Sequence, residues 1–440
     1  MLMEPPSHAS TWAPLRQPLF RALWIAAVAS NIGTWMQNVG AAWLMTSLAP
    51  SPAMVALVQA ATTLPVFLVG LPAGAVADVV DRRRLLLVTQ GWMLCVAALL
   101  GALTILNAIT PWSLLLLTFA LGLGAAMNAP AWQAIIPELV QQRELKPAVT
   151  LNGVGYNVAR AVGPALGGAV VAAFGSGAVF VLNACSFLGV MIVLYRWRRP
   201  AEPNGLPAED VFGAMRAGVR YVRHSPPVHA VLLRTGAFIF GGSALWALLP
   251  LVAREDLGLG ATGYGLILGC LGMGAVGGGL LLPRIERQLS TDALLAGAVV
   301  LFALATAGPI YAQQLTVLSL IMIIGGIAWI AIMSTFNVAA QVTVPGWVRA
   351  RALAVYGIVA QGGMAVGSAF WGLVAERVSL SMTLILAAGT LTASIATALR
   401  YRLRFEEAIS HAFGTLAGAD ICDGTGAECR SGFDHSRIHR

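Results

Sequence analysis

The chain has 440 residues, of which 58% are hydrophobic and 10% charged, and its mean hydropathy is +0.78. A soluble domain carries about 25% charged residues, so this composition excludes an ordinary water-facing surface. The net charge of +8 and isoelectric point near 9.7 would suit a nucleic-acid partner only with a basic patch on a soluble face. Here the basic residues sit between apolar runs, so they read as topology signals and no nucleic acid is expected.

In chain order, apolar runs fall near residues 19–46, 52–77, 85–108, 112–134, 148–174 and 177–196, then near 229–252, 262–283, 291–311, 315–339, 350–375 and 379–399. Each is long enough to cross roughly 30 Å of hydrocarbon as a helix. In lipid every backbone N–H and C=O must be satisfied within the segment, and no alternation of period two suggests a barrel strand. The expected fold class is therefore an all-α membrane protein of twelve transmembrane helices. The first run is full length and lacks the short apolar core and small-residue cleavage site of a leader, so it reads as a span.

With both termini on the cytoplasmic side, that side collects Arg82, Arg83, Arg84, Arg143, Lys146, Arg196, Arg198, Arg199, Arg284, Arg287, Arg349, Arg351 and Arg400, leaving Arg254 and Arg377 on the other. An odd number of spans would scramble this bias. Residues 1–198 read as a first six-helix bundle and 229–400 as a second. Between them 199–228 reads as a cytoplasmic linker with an amphipathic surface helix, and 401–440 as a solvated, disordered tail. Cys95, Cys185 and Cys270 lie in apolar runs, and Cys422, Cys429, His435 and His439 of the tail do not match zinc-module spacing. No disulfide framework, metal or cofactor is expected.

The chain also repeats itself. A shift of 204 positions lays "RAVGPALGGAV" at Arg160–Val170 over "MAVGSAFWGLV" at Met364–Val374, matching Gly163 with Gly367, Gly168 with Gly372, and Gly74 with Gly278. Two parallel six-helix repeats place a substrate site between the halves near the midplane.

Arg160 is the unambiguous charge within a span, roughly 18 Å by helical rise from the span's cytoplasmic end. A mid-membrane charge costs at least about 2.5 to 3.5 kcal/mol, so it must face a cavity or a partner. Asn152, Tyr156 and Arg160 recur every four residues and make one polar face. Either Arg160 attracts an anionic or strongly hydrogen-bonding substrate, or it is a structural arginine bonded to helix carbonyls or a neighbouring amide. Asn31, Trp35 and Asn38 form a similar face in the first span, as do Asn128 and Trp132 in the fourth. Tyr356 and Gln361 are candidates in the second half, with Trp246, Trp329 and Asn337 as looser ones. Rings with amides suit a ligand that is partly apolar and partly polar.

After the second span comes "GLPAGAVADVVDRRRL", residues Gly70–Leu85, and the fifth span carries "NVARAVGPALGG", residues Asn157–Gly168. The first resembles the signature loop between helices two and three of the major facilitator superfamily, with Asp81 standing near the pattern's second glycine. The second contains a stretch, Gly163, Pro164, Gly167 and Gly168, that resembles the helix-five motif of drug-exporting members. With "FRALWIAAVASNIGTWMQNVGAAWL" and "NAPAWQAIIPELV" they resemble the enterobactin-exporter branch of that superfamily, over roughly Phe20 to Arg400. The resemblance implies the major facilitator fold, with two pseudo-symmetric six-helix bundles. It implies that Gly74, Asp78, Arg82, Arg83 and Arg84 gate the cytoplasmic side by latching the halves. It also implies proton-driven efflux of a siderophore or hydrophobic drug from the inner membrane.

No acidic residue sits mid-span, and there is no G-x-x-x-x-G-K-[ST] loop for nucleotide drive. No paired carboxylates or nucleophile constellation converges on a span, so no enzyme is expected. The partners expected are a small-molecule substrate and the lipid bilayer, and the chain is read as a monomer. A nutrient importer and a non-transporting membrane sensor are the alternatives.

Overall fold

The computed structural model describes residues 10–49, 51–197, 220–312, 314–345 and 349–401. Among them are twelve long helices. The first six are α1 (Pro18–Leu48), α2 (Pro52–Val79), α3 (Arg82–Ile105), α4 (Pro111–Leu139), α5 (Leu145–Phe174) and α6 (Ser176–Arg196). The second six are α7 (Pro226–Leu251), α8 (Ala261–Ile285), α9 (Thr291–Tyr311), α10 (Leu315–Val342), α11 (Arg349–Arg377) and α12 (Leu380–Ser394). Eleven spans are long and apolar enough to cross a membrane. The remaining helix, α1, carries Ser30, Asn31, Thr34, Gln37 and Asn38 in its middle turns. These dilute its apolarity because they serve the protein interior instead of lipid.

Helix boundaries follow local chemistry. Pro52 and Pro111 open α2 and α4, where a missing N–H is harmless. Ser51, Asp81, Thr110, Ser290 and Ser379 cap helix N-termini with side-chain oxygens. Gly175, at φ +79°, joins α5 to α6 in a conformation that side chains resist. The final span departs from the uninterrupted helix expected over 379–399. It breaks at Ile395 after Ser394 and resumes as a short helix, Ala396–Arg400. Of the linker expected over 199–228 the described residues are 220–228, with 220–224 helical and Pro226 already opening α7, and of the tail over 401–440 Tyr401 alone is described.

Within the first half α1 packs on α5 and α6, α2 on α4, and α3 on α4 and α6. The second half repeats this set: α7 on α11 and α12, α8 on α10, and α9 on α10 and α12. Across the halves α2 meets α11 and α5 meets α8, again a symmetric pair. Small residues allow these approaches. A Cβ on Gly168 of α5 would lie 2.5 Å from the Ala261 carbonyl oxygen of α8, and one on Gly372 of α11 would lie 3.0 Å from the Ala53 Cα of α2.

The two ends of the bundle differ. One, here the basic end, carries Arg82–Arg84, Arg143, Lys146, Arg284, Arg287 and Arg349. At the far end a single apolar cluster runs through both halves, from Met45, Val55, Ala56 and Phe180 to Leu248, Val252, Trp371 and Leu384. At the basic end the clusters stay within their own half, Phe20, Leu86, Ile135 and Leu194 in the first and Val222, Val228, Val344 and Ala352 in the second. Among the described residues, then, these buried apolar clusters bridge the halves at the far end and stay within one half at the basic end.

Candidate functional site

Polar bonds reinforce the far-end closure. Arg254, in a π-helical turn that continues α7, donates to Thr46 Oγ1 at 2.9 Å and to Ser47 at the end of α1, and lies 5.6 Å from the Trp43 ring centroid. Trp43 in turn stacks on Tyr264 of α8, with centroids 6.1 Å apart. Ser51, before α2, donates to Glu376 at the end of α11. Toward the basic end α2 and α11 still approach near Gly70 and Ile358, but a Cβ on Gly74, Gly153 or Gly357 would meet nothing within 4 Å.

Below this closure lies a cavity of about 300 Å³ between the halves. Its first-half wall is polar: Asn31, Thr34, Trp35 and Asn38 from α1, Gln59, Thr62 and Thr63 from α2, and Tyr156 and Arg160 from α5. The second-half wall is aromatic and apolar, with Trp246 and Pro250 from α7, Tyr264 and Leu268 from α8, Trp329 from α10, and Gln361 and Met364 from α11. Asn31, Trp35 and Asn38 share a face of α1 by their spacing of four and three residues. Gln59, Thr62 and Thr63 do the same on α2. The threonine hydroxyls donate to Val58 and Gln59 carbonyl oxygens of their own helix, leaving oxygen lone pairs for a ligand.

Among the described residues, Arg160 is the single charged one on these walls. It makes no ion pair and no hydrogen bond among the described residues. Its Nε is buried without a partner, whereas its terminal nitrogens are not buried and so open on the cavity. The guanidinium carbon sits 5.8 Å from the ring centroid of Trp246, in the opposite half. Trp246 packs edge-on against Trp329 at 5.4 Å, which Phe238 and Phe302 back from behind. Tyr156 packs edge-on against Trp35 at 6.4 Å. The chain here leaves a cation exposed to a ligand and braces it against an aromatic wall.

The structure thus brings together six sequence candidates, Asn31, Trp35, Asn38, Tyr156, Arg160 and Gln361, and the looser pair Trp246 and Trp329. Asn128, Trp132, Asn152 and Tyr356 do not line the cavity. Asn128 accepts from Thr89 at 3.0 Å and Gln90 at 3.3 Å, tying α4 to α3. Trp132 donates to Asn152 at 3.4 Å, tying α4 to α5. Tyr356 is buried in α11, and Asn337 accepts from Gln341 on its own helix. Gln59, Thr62, Thr63 and Tyr264 were missed from sequence. The polar pattern at i, i+3 and i+4 in an otherwise apolar α2 was the signal that could have found the first three.

In the helix two–three loop, Asp81 accepts from the Arg84 amide at 2.8 Å and so starts α3 where the family pattern has glycine. Arg82 pairs with Glu138 of α4 at 2.7 Å, and Arg83 donates to the Leu194 and Tyr195 carbonyls at the end of α6. These bonds stay within the first half. Asp78 is exposed and has no partner among the described residues. A Cβ on Gly74 would meet nothing within 4 Å, so this glycine serves no close helix approach in this conformation. In α5, a Cβ on Gly163 or Gly167 would strike Trp35 or Met36 of α1, while Gly168 faces α8, so the motif packs one helix against two.

A profile of the family described as transmembrane secretion effector matches residues 9–415. The chain is 29% identical to the staphyloferrin A transporter of Staphylococcus aureus (strain NCTC 8325 / PS 47) over 37% of its own length and 42% of the relative's. It is 26% identical to the enterobactin exporter of Salmonella typhi over 54% of its length and 57% of the relative's. With the multidrug efflux pump Tap of Mycolicibacterium fortuitum it shares 24% identity over 84% of its length and 92% of the pump's. In fold it is similar to a bacterial homologue of the human lysosomal transporter Spinster, with a TM-score of 0.68 at 16% identity, covering 90% of this chain and 98% of that one. The chain is a multi-pass membrane protein that belongs to the transmembrane secretion effector family of the major facilitator superfamily.

Proposed function

We propose that the chain is a secondary exporter of small, partly apolar anions, working by alternating access. The observation that carries this reading is Arg160. Its unpaired guanidinium is the one charge on the cavity walls, and it faces an indole-rich surface from the other half. A buried cation without a counter-ion is stabilised by an anionic ligand, and the tryptophans offer that ligand's apolar body a flat surface. The names of the relatives, a staphyloferrin A transporter, an enterobactin exporter and a multidrug efflux pump, support transport of small molecules, the last two outward.

In this reading the halves, 1–198 and 229–400, rock about the cavity. The basic end faces the cytoplasm by the positive-inside rule, with both termini there, in a bacterial inner membrane. The described conformation then loads from inside, and the transporter works as a monomer and not as an enzyme. Closing the basic end brings the second half toward Gly74 and Asp78, which act with Arg82, Arg83 and Arg84 as a latch. Asp78→Ala therefore slows turnover while sparing binding.

The test is a flux screen in proteoliposomes of known orientation, comparing hydroxycarboxylates, aromatic carboxylates and aromatic sulfonates with neutral and cationic aromatics. Saturable flux of the anions from the basic end outward is expected. Preference for cationic or neutral compounds, or no saturable flux of any, would remove the proposal.

A further inference from the structure

Among the described residues no acidic side chain lines the cavity. Among the described residues Asp78, Asp81, Glu138, Glu144, Glu286 and Asp292 lie at the basic end, and Glu255, Asp256 and Glu376 at the far end. Arg160 is permanently protonated, and the other titratable groups on the walls are the phenols of Tyr156 and Tyr264. The site is therefore a fixed positive charge, not a proton carrier. Loaded with a monoanion it is neutral, and empty it holds one positive charge, with the Trp246 ring of the opposite half beside it.

We propose that the membrane potential energises this transporter through Arg160. The neutral, loaded carrier turns outward without moving charge. The empty carrier then returns the guanidinium inward, with an inside-negative potential, so each cycle exports one net negative charge with no proton in exchange. Trp246 gives the bare cation a partner during that return. The inference rests on reading the cavity as an anion site, and it assigns the drive to the electrical component of the proton motive force. One elementary charge crossing 100 mV gains about 2.3 kcal/mol, which corresponds to roughly a 50-fold concentration ratio.

The test uses the full chain in proteoliposomes with 1-naphthalenesulfonate, an aromatic anion with no proton to exchange near neutral pH. With 100 mV set by potassium and valinomycin and no pH difference, the probe should accumulate roughly 50-fold on the positive side. With one pH unit and the voltage clamped at zero, the ratio should stay near one. Voltage steps on membranes without any probe should displace charge in the wild type and in Arg160→Lys, but not in Arg160→Gln. Accumulation that follows the pH difference at zero voltage overturns this inference alone, as does displaced charge that survives in Arg160→Gln. No saturable probe flux in either condition takes down the anion-site reading together with the inference.

Discussion

The two halves of the molecule use the same packing and different chemistry. Gly163 and Gly367, related by the 204-residue shift, each set a helix against its own half, on α1 and α7, while Gly168 and Gly372 set it against the other half. The residues that face the cavity diverge. Arg160 corresponds to Met364, Trp35 to Ile239, and Asn38 to Gly242. Where Asn38 offers an amide to the cavity, a Cβ on Gly242 would meet Phe302 at 3.2 Å and Trp329 at 3.4 Å. That glycine lets the aromatic wall move in. Symmetry thus resides in small residues that decide how closely helices approach. Recognition resides in the side chains that face the cavity, where the two halves differ.

The sharpest way to break this comparison is to make the walls alike. Arg160→Met installs the second half's residue in the first. Charge-assisted hydrogen bonds contribute about 1.5–3 kcal/mol, so half-saturation for an anionic substrate should rise roughly 10- to 150-fold. Thermal unfolding in detergent should be unchanged or improved, since an unpaired buried Nε is removed. Unaltered saturation would show that the polar wall does not select the ligand.

Next in size are the paired glycines at the far end. A Cβ at Gly168 would lie 2.5 Å from a backbone oxygen of α8, and one at Gly372 would lie 2.6 Å from the Ala56 Cβ of α2. Overpacking costs about 1–3 kcal/mol, and here it falls on the far-end-closed state alone. Gly168→Ala and Gly372→Ala should both favour opening of that end, by roughly 5- to 150-fold in population. Spin-label distances between the far ends of α5 and α8, and of α2 and α11, would read this out. Opposite effects of the two changes would mean that the repeat is one of fold without being one of motion.

How much of this was legible in the sequence depends on which surface a residue meets. Lipid is a uniform solvent, so the spans, their even number and the repeat could be read from apolar length, basic turns and recurring glycines. Arg160 was legible because a charge at that depth demands an explanation. Asn128, Trp132 and Asn152 have the same composition as a binding face, yet they bond to neighbouring helices. Periodicity gives a helix a polar side without saying whether that side meets a cavity or another helix. Gln59, Thr62 and Thr63 were passed over because each is individually mild, and only their shared face and the parting of the halves make them a wall. The far-end clasp of Arg254 was invisible for a related reason. It is a contact between α1 and the end of α7 that no local pattern encodes.

That clasp gives a further test. Arg254→Ala removes two hydrogen bonds and the contact with Trp43. Because Arg254 is exposed, we expect only about 0.5–1 kcal/mol, a roughly two- to five-fold shift toward an open far end. The same spin-label pairs should report it. A shift as large as that from Gly168→Ala would place the closure in the polar bonds and not in helix packing.

Gly74 and its repeat partner Gly278 separate folding from motion. A Cβ on Gly278 would lie 2.7 Å from Ile330 Cγ2 and 2.8 Å from the Ile327 Cα, while one on Gly74 meets nothing within 4 Å. Gly278→Ala should therefore lower the melting temperature by a few degrees, about the effect of 1 kcal/mol or more of overpacking. Gly74→Ala should leave it equal or slightly raised, since alanine is favoured over glycine inside a helix by about 0.5–1 kcal/mol. If the second half moves onto Gly74 when the basic end closes, Gly74→Ala will slow turnover despite its intact fold, because the added methyl meets its neighbour only in that other state. Unchanged turnover with raised stability would mean that this flank of α2 stays free throughout the cycle, and would remove Gly74 from the gate.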